Sequence, residues 1–324
     1  MITDMRTFSI LFLFLLFGVV APTHAQFNTN EFGAPASGID LQPTHPRPGE
    51  EVTATLNDYQ SSLNTSITWL FDGKVIEEAA NKRQTSFIAG ENGSQQIIQV
   101  VLTDGIGGKR TINSVITPMY LDIILEPQTH VPDFYLGRAL PSYGSIVNAT
   151  ALVSEATSQN NNYIYTWQFG NQVLEGGPIR GRNQVSFTIP RDPKTILSVQ
   201  VSRPDGTVVA NRSIFVVQQE PELYFYEVSS LFGVKTTASI NSYALIGPSA
   251  VLRAEPYFLD SRVYNNPGIS EWEVDGRATS GLSGNPYEAT IQRTRPTGQA
   301  SLNFHVRSLE QVLQGVEDGI TINF

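Results

Sequence analysis

The stretch Ile67-Thr-Trp-Leu-Phe-Asp-Gly73 has two related copies later in the chain. They are Tyr165-Thr-Trp-Gln-Phe-Gly-Asn171 and Ser270-Glu-Trp-Glu-Val-Asp-Gly276. Each copy holds one of the three tryptophans, which are 98 and then 105 residues apart. A repeat of about 100 residues is the size of one small β-sandwich domain. The spacing therefore predicts three domains in series.

Apolar and polar residues alternate in each copy, which predicts a β-strand with one face buried. We expect the apolar side chains to belong to a separate core in each domain. These core residues are Trp69 and Phe71, Trp167 and Phe169, and Trp272 and Val274.

A tight turn is predicted directly after two of these strands. Asp72-Gly73 and Asp275-Gly276 end the first and third copies. Glycine, and less easily aspartate, takes the positive φ that a primed two-residue turn requires. We therefore expect a β-hairpin at both places.

Two further patterns recur around each tryptophan. Gly49, Gly144 and Gly247 precede the tryptophans by 20, 23 and 25 residues and open a predicted strand. Downstream, apolar residues alternate before Asp104-Gly105 and Asp205-Gly206. In the third copy this turn is replaced by residues 308–319 (SLEQVLQGVEDG), whose apolar spacing favours a short helix, with a long irregular hairpin loop as the alternative.

The predicted fold class is all-β, with three tandem immunoglobulin-like sandwich domains after an N-terminal signal segment. The expected divisions are a signal peptide (1–25), a flexible lead-in (26–38), and domains at 39–118, 119–217 and 218–324.

Trp-Leu-Phe-Asp-Gly and Trp-Gln-Phe-Gly-Asn resemble the strand and turn of PKD-type domains, which are immunoglobulin-like modules of extracellular and bacterial surface proteins. The third copy departs from that pattern, with Val274 in place of Phe. The whole arrangement, including residues 133–141 and 252–258, is also similar to uncharacterised three-domain exported proteins of small-genome uncultivated bacteria. This second resemblance implies a role beside a surface secretion or pilus apparatus.

The N-terminus has the pattern of an export signal. Arg6 precedes an apolar run from Phe8 to Val20, which is short for a membrane span, and Ala25 ends a possible cleavage site. We expect cleavage after Ala25, and the alternative is an uncleaved N-terminal anchor.

The composition excludes several classes of function. The net charge of −9 leaves no basic surface for nucleic acid or for an anionic membrane. The chain contains no cysteine, so it forms no disulfide and has neither a thiolate nucleophile nor a cysteine-ligated zinc site.

No catalytic, cofactor-binding or metal-ligating residue is predicted. His45, His130 and His305 are far apart in sequence. Gly281-Leu-Ser-Gly284 lacks the spacing of a serine nucleophile elbow. The Asp-x-Asp-x-Asp-Gly calcium pattern is absent, although a calcium site built from distant loops at a domain junction stays open. Four carboxylates are candidates for glycoside hydrolysis, although they show no pairing pattern: Glu77, Glu78, Asp133 and Glu255.

Aromatic residues cluster near the starts of the second and third domains. They either pack the seams between domains or line an exposed surface for glycan or protein contacts. The residues are Tyr120, Phe134, Tyr135, Tyr143, Tyr224, Phe225, Tyr226, Tyr257 and Phe258.

Together these features predict a non-catalytic exported scaffold or adhesion protein at the cell surface or in the periplasm. The expected partner is a protein or glycan, with membrane contact only through an uncleaved signal segment, and no cofactor is expected. The alternatives are a structural subunit or accessory of a pilus or secretion assembly, and a carbohydrate-binding accessory module.

Overall fold

The computed structural model describes residues 37–62, 64–154, 162–192, 195–279, 281, 284–311 and 314–324. The predicted signal segment and most of the predicted lead-in lie outside these residues.

The first domain is a sandwich of two antiparallel sheets, ordered β1-β2-β5 and β4-β3-β6-β7. A 3₁₀ turn at Glu77–Ala79 follows β4. The strands are β1 (Gly38–Gln42), β2 (Glu51–Asn57), β3 (Ser66–Phe71), β4 (Lys74–Val75), β5 (Gln84–Ile88), β6 (Gln96–Thr103) and β7 (Lys109–Ile116).

The second domain repeats this arrangement, with sheets β13-β9-β8 and β11-β10-β14-β15, and β12 also pairs with β10. A 3₁₀ turn covers Leu174–Gly176. The strands are β8 (Tyr120–Pro127), β9 (Ile146–Ser154), β10 (Ile164–Phe169), β11 (Gln172–Val173), β12 (Ile179–Arg180), β13 (Gln184–Thr188), β14 (Ile196–Ser202) and β15 (Val208–Phe215).

The third domain has sheets β17-β16-β19-β22 and β18-β24-β23-β20-β21. Its edge strand β18 pairs in parallel with β24. The elements are β16 (Glu222–Ser229), β17 (Gly233–Val234), β18 (Ser242–Ala244), β19 (Ser249–Tyr257), α1 (Ser261–Asn265), β20 (Ile269–Val274), β21 (Arg277–Thr279), β22 (Glu288–Gln292), β23 (Gln299–Arg307) and β24 (Gly315–Asn323).

Each sandwich encloses its own hydrophobic core. The first core draws on residues from Leu41 to Ile116, the second on residues from Met119 to Val216, and the third on residues from Leu223 to Ile322. The prediction of an all-β chain of tandem immunoglobulin-like sandwiches is confirmed.

One predicted helix is wrong. The helix expected within residues 308–319 would run through Gly315 to Gly319, but these residues begin β24 and pair with β23. Val316 sits opposite Val306 in this ladder, so its apolar side chain belongs to a strand pattern rather than to a helical one. Residues 312 and 313 lie outside the described part of the chain.

Candidate functional site

The three tryptophans lie in three different cores. Trp69, Trp167 and Trp272 are fully buried. Each indole N–H donates to a backbone carbonyl 13 to 15 residues further along the chain, at 2.9 to 3.1 Å. Burying the ring while satisfying its one polar group is what a core tryptophan requires. These rings are therefore closed to ligands.

The other predicted core residues accompany the tryptophans. Phe71 stacks on Phe87 with ring centroids 4.5 Å apart, and Phe169 lies 4.4 Å from Phe187. Val274 is half-buried and packs against the third core.

The two predicted turns contain consecutive residues with positive φ. Asp72 and Gly73 have φ of 48° and 78°, and Asp275 and Gly276 have 48° and 72°. Each aspartate also accepts a hydrogen bond from a backbone N–H on the neighbouring strand, at 2.8 Å for Asp72 and 2.9 Å for Asp275. These turn residues are structural, because they tie the hairpin to the strand beside it.

Polar contacts join the first domain to the second. Arg47 Nη2 donates to Leu121 O at 2.6 Å and lies 3.0 Å from Asp122 Oδ1. His45 Nε2 lies 3.1 Å from Val208 O. Burial opposes ionisation of Asp122, but hydrogen bonds from the Ile123 N–H and from Arg47 lower its pKa overall. Arg47 and His45, both on the connection between β1 and β2, thus hold this first seam.

The aromatic cluster lies at the second seam, where the second and third domains meet. Tyr226, Tyr257 and Phe258 are buried. Phe134 and Tyr135, on the connection between β8 and β9, pack edge-to-face against Tyr226 and Tyr257 with centroids 5.2 and 5.3 Å apart. The Tyr226 and Tyr257 hydroxyls are 2.7 Å apart. These rings form a seam and not an open platform.

The other aromatic residues of the predicted cluster are placed differently. Phe225 is buried in the third core, and Tyr224 joins the seam. A hydrogen bond from the Tyr224 hydroxyl to Glu222 raises the pKa of that tyrosine to about 12. Tyr120 is exposed, with the Arg47 guanidinium 5.3 Å from its ring centroid at the first seam.

A buried carboxylate is the centre of the second seam. Glu255 is only 1% exposed. Its Oε2 lies 2.7 Å from Arg253 Nε, and its Oε1 forms a hydrogen bond with His130 Nε2 of the second domain. The Tyr264 hydroxyl accepts from Arg253 Nη2 at 3.0 Å and lies 3.4 Å from Glu255 Oε1. A buried charge is tolerated only when paired in this way.

Three stacked rings cover this carboxylate. Tyr264 lies between His130 and Tyr287, with centroid distances of 3.4 and 4.6 Å and nearly parallel planes. Burial raises the pKa of both tyrosines. Burial alone would lower the pKa of Arg253, but the charge of Glu255 raises it overall. The tyrosines therefore stay protonated and Arg253 stays charged near neutral pH.

Gln314 makes a second polar bridge between these domains. Its side chain is fully buried. Its Oε1 accepts from Asp260 N at 3.0 Å, and its Nε2 donates to Ser142 Oγ at 3.1 Å and to Tyr143 O. Asp260 in turn caps α1 by accepting from Arg262 N at 2.8 Å.

The backbone adds a short ladder between the same domains. His130 N donates to Leu259 O at 2.7 Å, and Phe258 N donates to His130 O at 2.7 Å. Ser261 N donates to Gln128 O at 2.9 Å. Side chains and backbone thus fix the third domain against the second.

This arrangement joins the second and third domains. Glu255 is closed off, Glu77 and Glu78 are exposed in the first domain, and Asp133 is exposed next to Phe134 in the chain. No group of three or more potential metal ligands occurs among the described residues. In the serine look-alike at 281–284, positions 282 and 283 lie outside the described residues. Within the described ranges, no helix has the length and apolar character needed to cross a bilayer.

The sequence does not predict that the residues at the centre of the second seam come together, since it indicates Glu255 only as a candidate acid and His130 only as an isolated histidine. Arg253 and Glu255 are two apart on β19, so their side chains share one face of the strand. An Arg-x-Glu pair between apolar neighbours was the one available signal of a buried ion pair. Nothing near His130 in sequence indicated that it would join them.

Comparisons with known proteins give similarities of low identity. No protein-family model and no curated protein matches the chain. Among solved structures, the three N-terminal domains of the bacteriophage RB49 highly immunogenic outer capsid protein (Hoc) are 13% identical, with 89% of this chain and 98% of that chain covered and a TM-score of 0.25.

Two further solved structures are similar to this chain. One is the Bacteroides ovatus mixed-linkage glucan utilization locus SGBP-B in complex with mixed-linkage heptasaccharide (12% identity, 85% of this chain, 63% of that chain, TM-score 0.22). The other contains fibronectin(III)-like modules of Clostridium thermocellum CbhA (10% identity, 56% of this chain, 94% of that chain, TM-score 0.26). No family and no activity follows from these similarities.

Proposed function

We propose that this chain is a non-catalytic exported scaffold or adhesion protein that acts at the cell surface or in the periplasm. It holds three β-sandwich domains in a fixed relative orientation and presents their surfaces to a protein or glycan partner. The observation that supports this proposal is the closed second seam, where charged, aromatic and amide groups are used to join two domains.

The same observation argues against a carbohydrate-binding accessory module built on these aromatics. A sugar platform needs exposed rings with polar groups beside them. Here the acid and the rings converge, but Glu255 and Tyr257 are buried and the rings pack against one another, edge-to-face at Tyr257 and stacked at Tyr264. The convergence supports a rigid joint, which a scaffold needs to keep its reach and orientation.

The test is gentle cross-linking on intact cells that make the protein, followed by purification of the chain and mass spectrometry of what it retains. We expect one envelope protein or glycan to be recovered repeatedly, with the chain accessible to protease added outside the cytoplasm. Recovery of pilus or secretion subunits would favour the assembly alternative. Retention of the chain in the cytoplasm, or recovery of no partner, would contradict the proposal.

A variant at the second seam tests whether partner binding depends on the fixed orientation of the domains or only on their presence. Glu255→Gln keeps the shape of the side chain but removes its charge, so it is expected to loosen the seam and lower partner recovery. Arg182→Ala is the matched control, because its ion pair with Glu175 is exposed. Equal recovery with both variants would show that the fixed arrangement does not matter.

A further inference from the structure

A groove of mixed character lies at the end of the third domain where β19 begins, lined by exposed apolar side chains and by the Glu227–Lys235 ion pair. Phe232 and Ile246 are 88% and 90% exposed and line a groove of about 660 Å³ together with Tyr243. Ile246 lies on the connection before β19, and Tyr257 at the other end of β19 lies in the seam, so this part of the groove is separated from the seam by the nine residues of that strand. Exposed apolar patches of this kind mark interaction sites.

The groove occupies the position in the repeat that already joins domains elsewhere in the chain. In the first domain, Arg47 precedes Gly49 and contacts the second domain. In the second domain, Tyr143 precedes Gly144 and contacts the third. In the third domain, Ile246 precedes Gly247, the matching glycine, and is exposed. The connection before the second strand of the sandwich therefore joins domains at two places, in the first domain and in the second.

One part of the surface that receives this connection is the same at both seams, although Arg47 itself contacts β8. At the first seam it is Val208, which directly follows the turn between β14 and β15. At the second it is Gln314, at the end of the connection between β23 and β24. The matching turn of the first domain, between β6 and β7, carries Ile106 at 96% exposure. Tyr59, on the loop between β2 and β3, is also exposed.

We propose that this groove of the third domain binds the turn between β6 and β7 of a second copy of this chain, head to tail. The occupant follows from continuity with the two seams, because each already places a turn of this type against a connection of this type. Both surfaces expose a large apolar side chain, and contact would remove Ile246, Phe232 and Ile106 from water. The inference stands without the proposed function, since it depends only on the surfaces of the folded domains.

A head-to-tail contact uses a different surface on each partner, so it propagates into linear chains instead of closing into a dimer. The test is sedimentation velocity over protein concentrations up to about 1 mM, the Kd of a weak contact. It uses the full-length chain and the form that begins at Gln26. We expect the average mass to rise steadily with concentration for both.

Two variants each remove one of the surfaces. The tail variant carries Phe232→Asp and Ile246→Asp, and the head variant carries Ile106→Asp. Each alone is expected to weaken self-association by a factor of about 30, as for loss of a central apolar contact. Mixed together, they retain one intact tail and one intact head, and we expect a one-to-one dimer that grows no further.

The control is Leu136→Asp, which adds the same charge at a fully exposed leucine outside both surfaces. It is expected to associate like the unchanged chain, and circular dichroism checks that all variants keep their sandwiches. A chain that stays monomeric at every concentration would overturn the proposal. So would a head variant that still dimerises alone, which would indicate contact between two tails, or a Leu136→Asp chain that associates as weakly as the tail variant.

Discussion

At the scale of single residues, each tryptophan holds one domain together. Replacing Trp69, Trp167 or Trp272 by alanine removes a fully buried ring and leaves a carbonyl without its N–H donor, so each change is expected to cost about 3 to 5 kcal/mol of unfolding free energy. Calorimetry of the full chain follows the transition of the affected domain. Phe215→Ala, at an exposed ring, is expected to stay within about 0.5 kcal/mol. Losses under about 1 kcal/mol at two of the tryptophans would contradict their core role.

Glu255 is the residue whose charge matters most at the second seam. Glu255→Gln leaves the largely buried Arg253 with only the more distant Glu288 carboxylate, at 3.8 Å, so we expect the third domain to lose about 3 kcal/mol of unfolding free energy. Urea unfolding monitored by circular dichroism measures this loss. Lys235→Ala breaks an exposed pair of similar geometry and is expected to cost less than about 1 kcal/mol. Equal losses in the two variants would mean that burial of the glutamate is irrelevant.

At the scale of single elements, the hairpin between β3 and β4 depends on backbone conformation alone at Gly73. Its φ is 78°, and a Cβ at this position would meet no other atom. Gly73→Ala is therefore expected to cost about 1 to 2 kcal/mol purely from the left-handed backbone. Gly38→Ala is the control, because that glycine also has open space but no positive φ. Thermal unfolding of both variants measures the difference, and equal midpoints would exclude backbone strain as the cause.

At the scale of the whole molecule, the two seams keep the orientation of each domain relative to the next. Arg47→Ala removes the hydrogen bond to Leu121 O and the pair with Asp122, so the first domain is expected to move more freely against the second. Small-angle scattering should then show a broader range of shapes, while the unfolding midpoints of the domains change little. Arg180→Ala, at an exposed strand residue, should leave the scattering unchanged. An unchanged profile for Arg47→Ala would show that other contacts suffice.

The sequence alone determined the repeated unit of this protein. Alternation around each tryptophan identifies a strand with one buried face, and Asp72-Gly73 and Asp275-Gly276 identify the turn that follows. Such features are local, because side-chain alternation and the φ preference of glycine act over a few neighbouring residues. The spacing of apolar residues gave a wrong prediction at residues 315–319. Pairing with β23 makes them a strand, because the helical pattern is too short to be stable alone.

Only the tertiary structure decided which residues join the domains. Glu255 and His130 are 125 positions apart, and Gln314 and Ser142 are 172 apart. The burial of a charge or an amide depends on which surfaces meet after each sandwich has formed, and no residue near these groups in sequence carries that information. The groove of the third domain could not be predicted from the sequence for the same reason, because its place relative to the two seams is seen only in the folded chain.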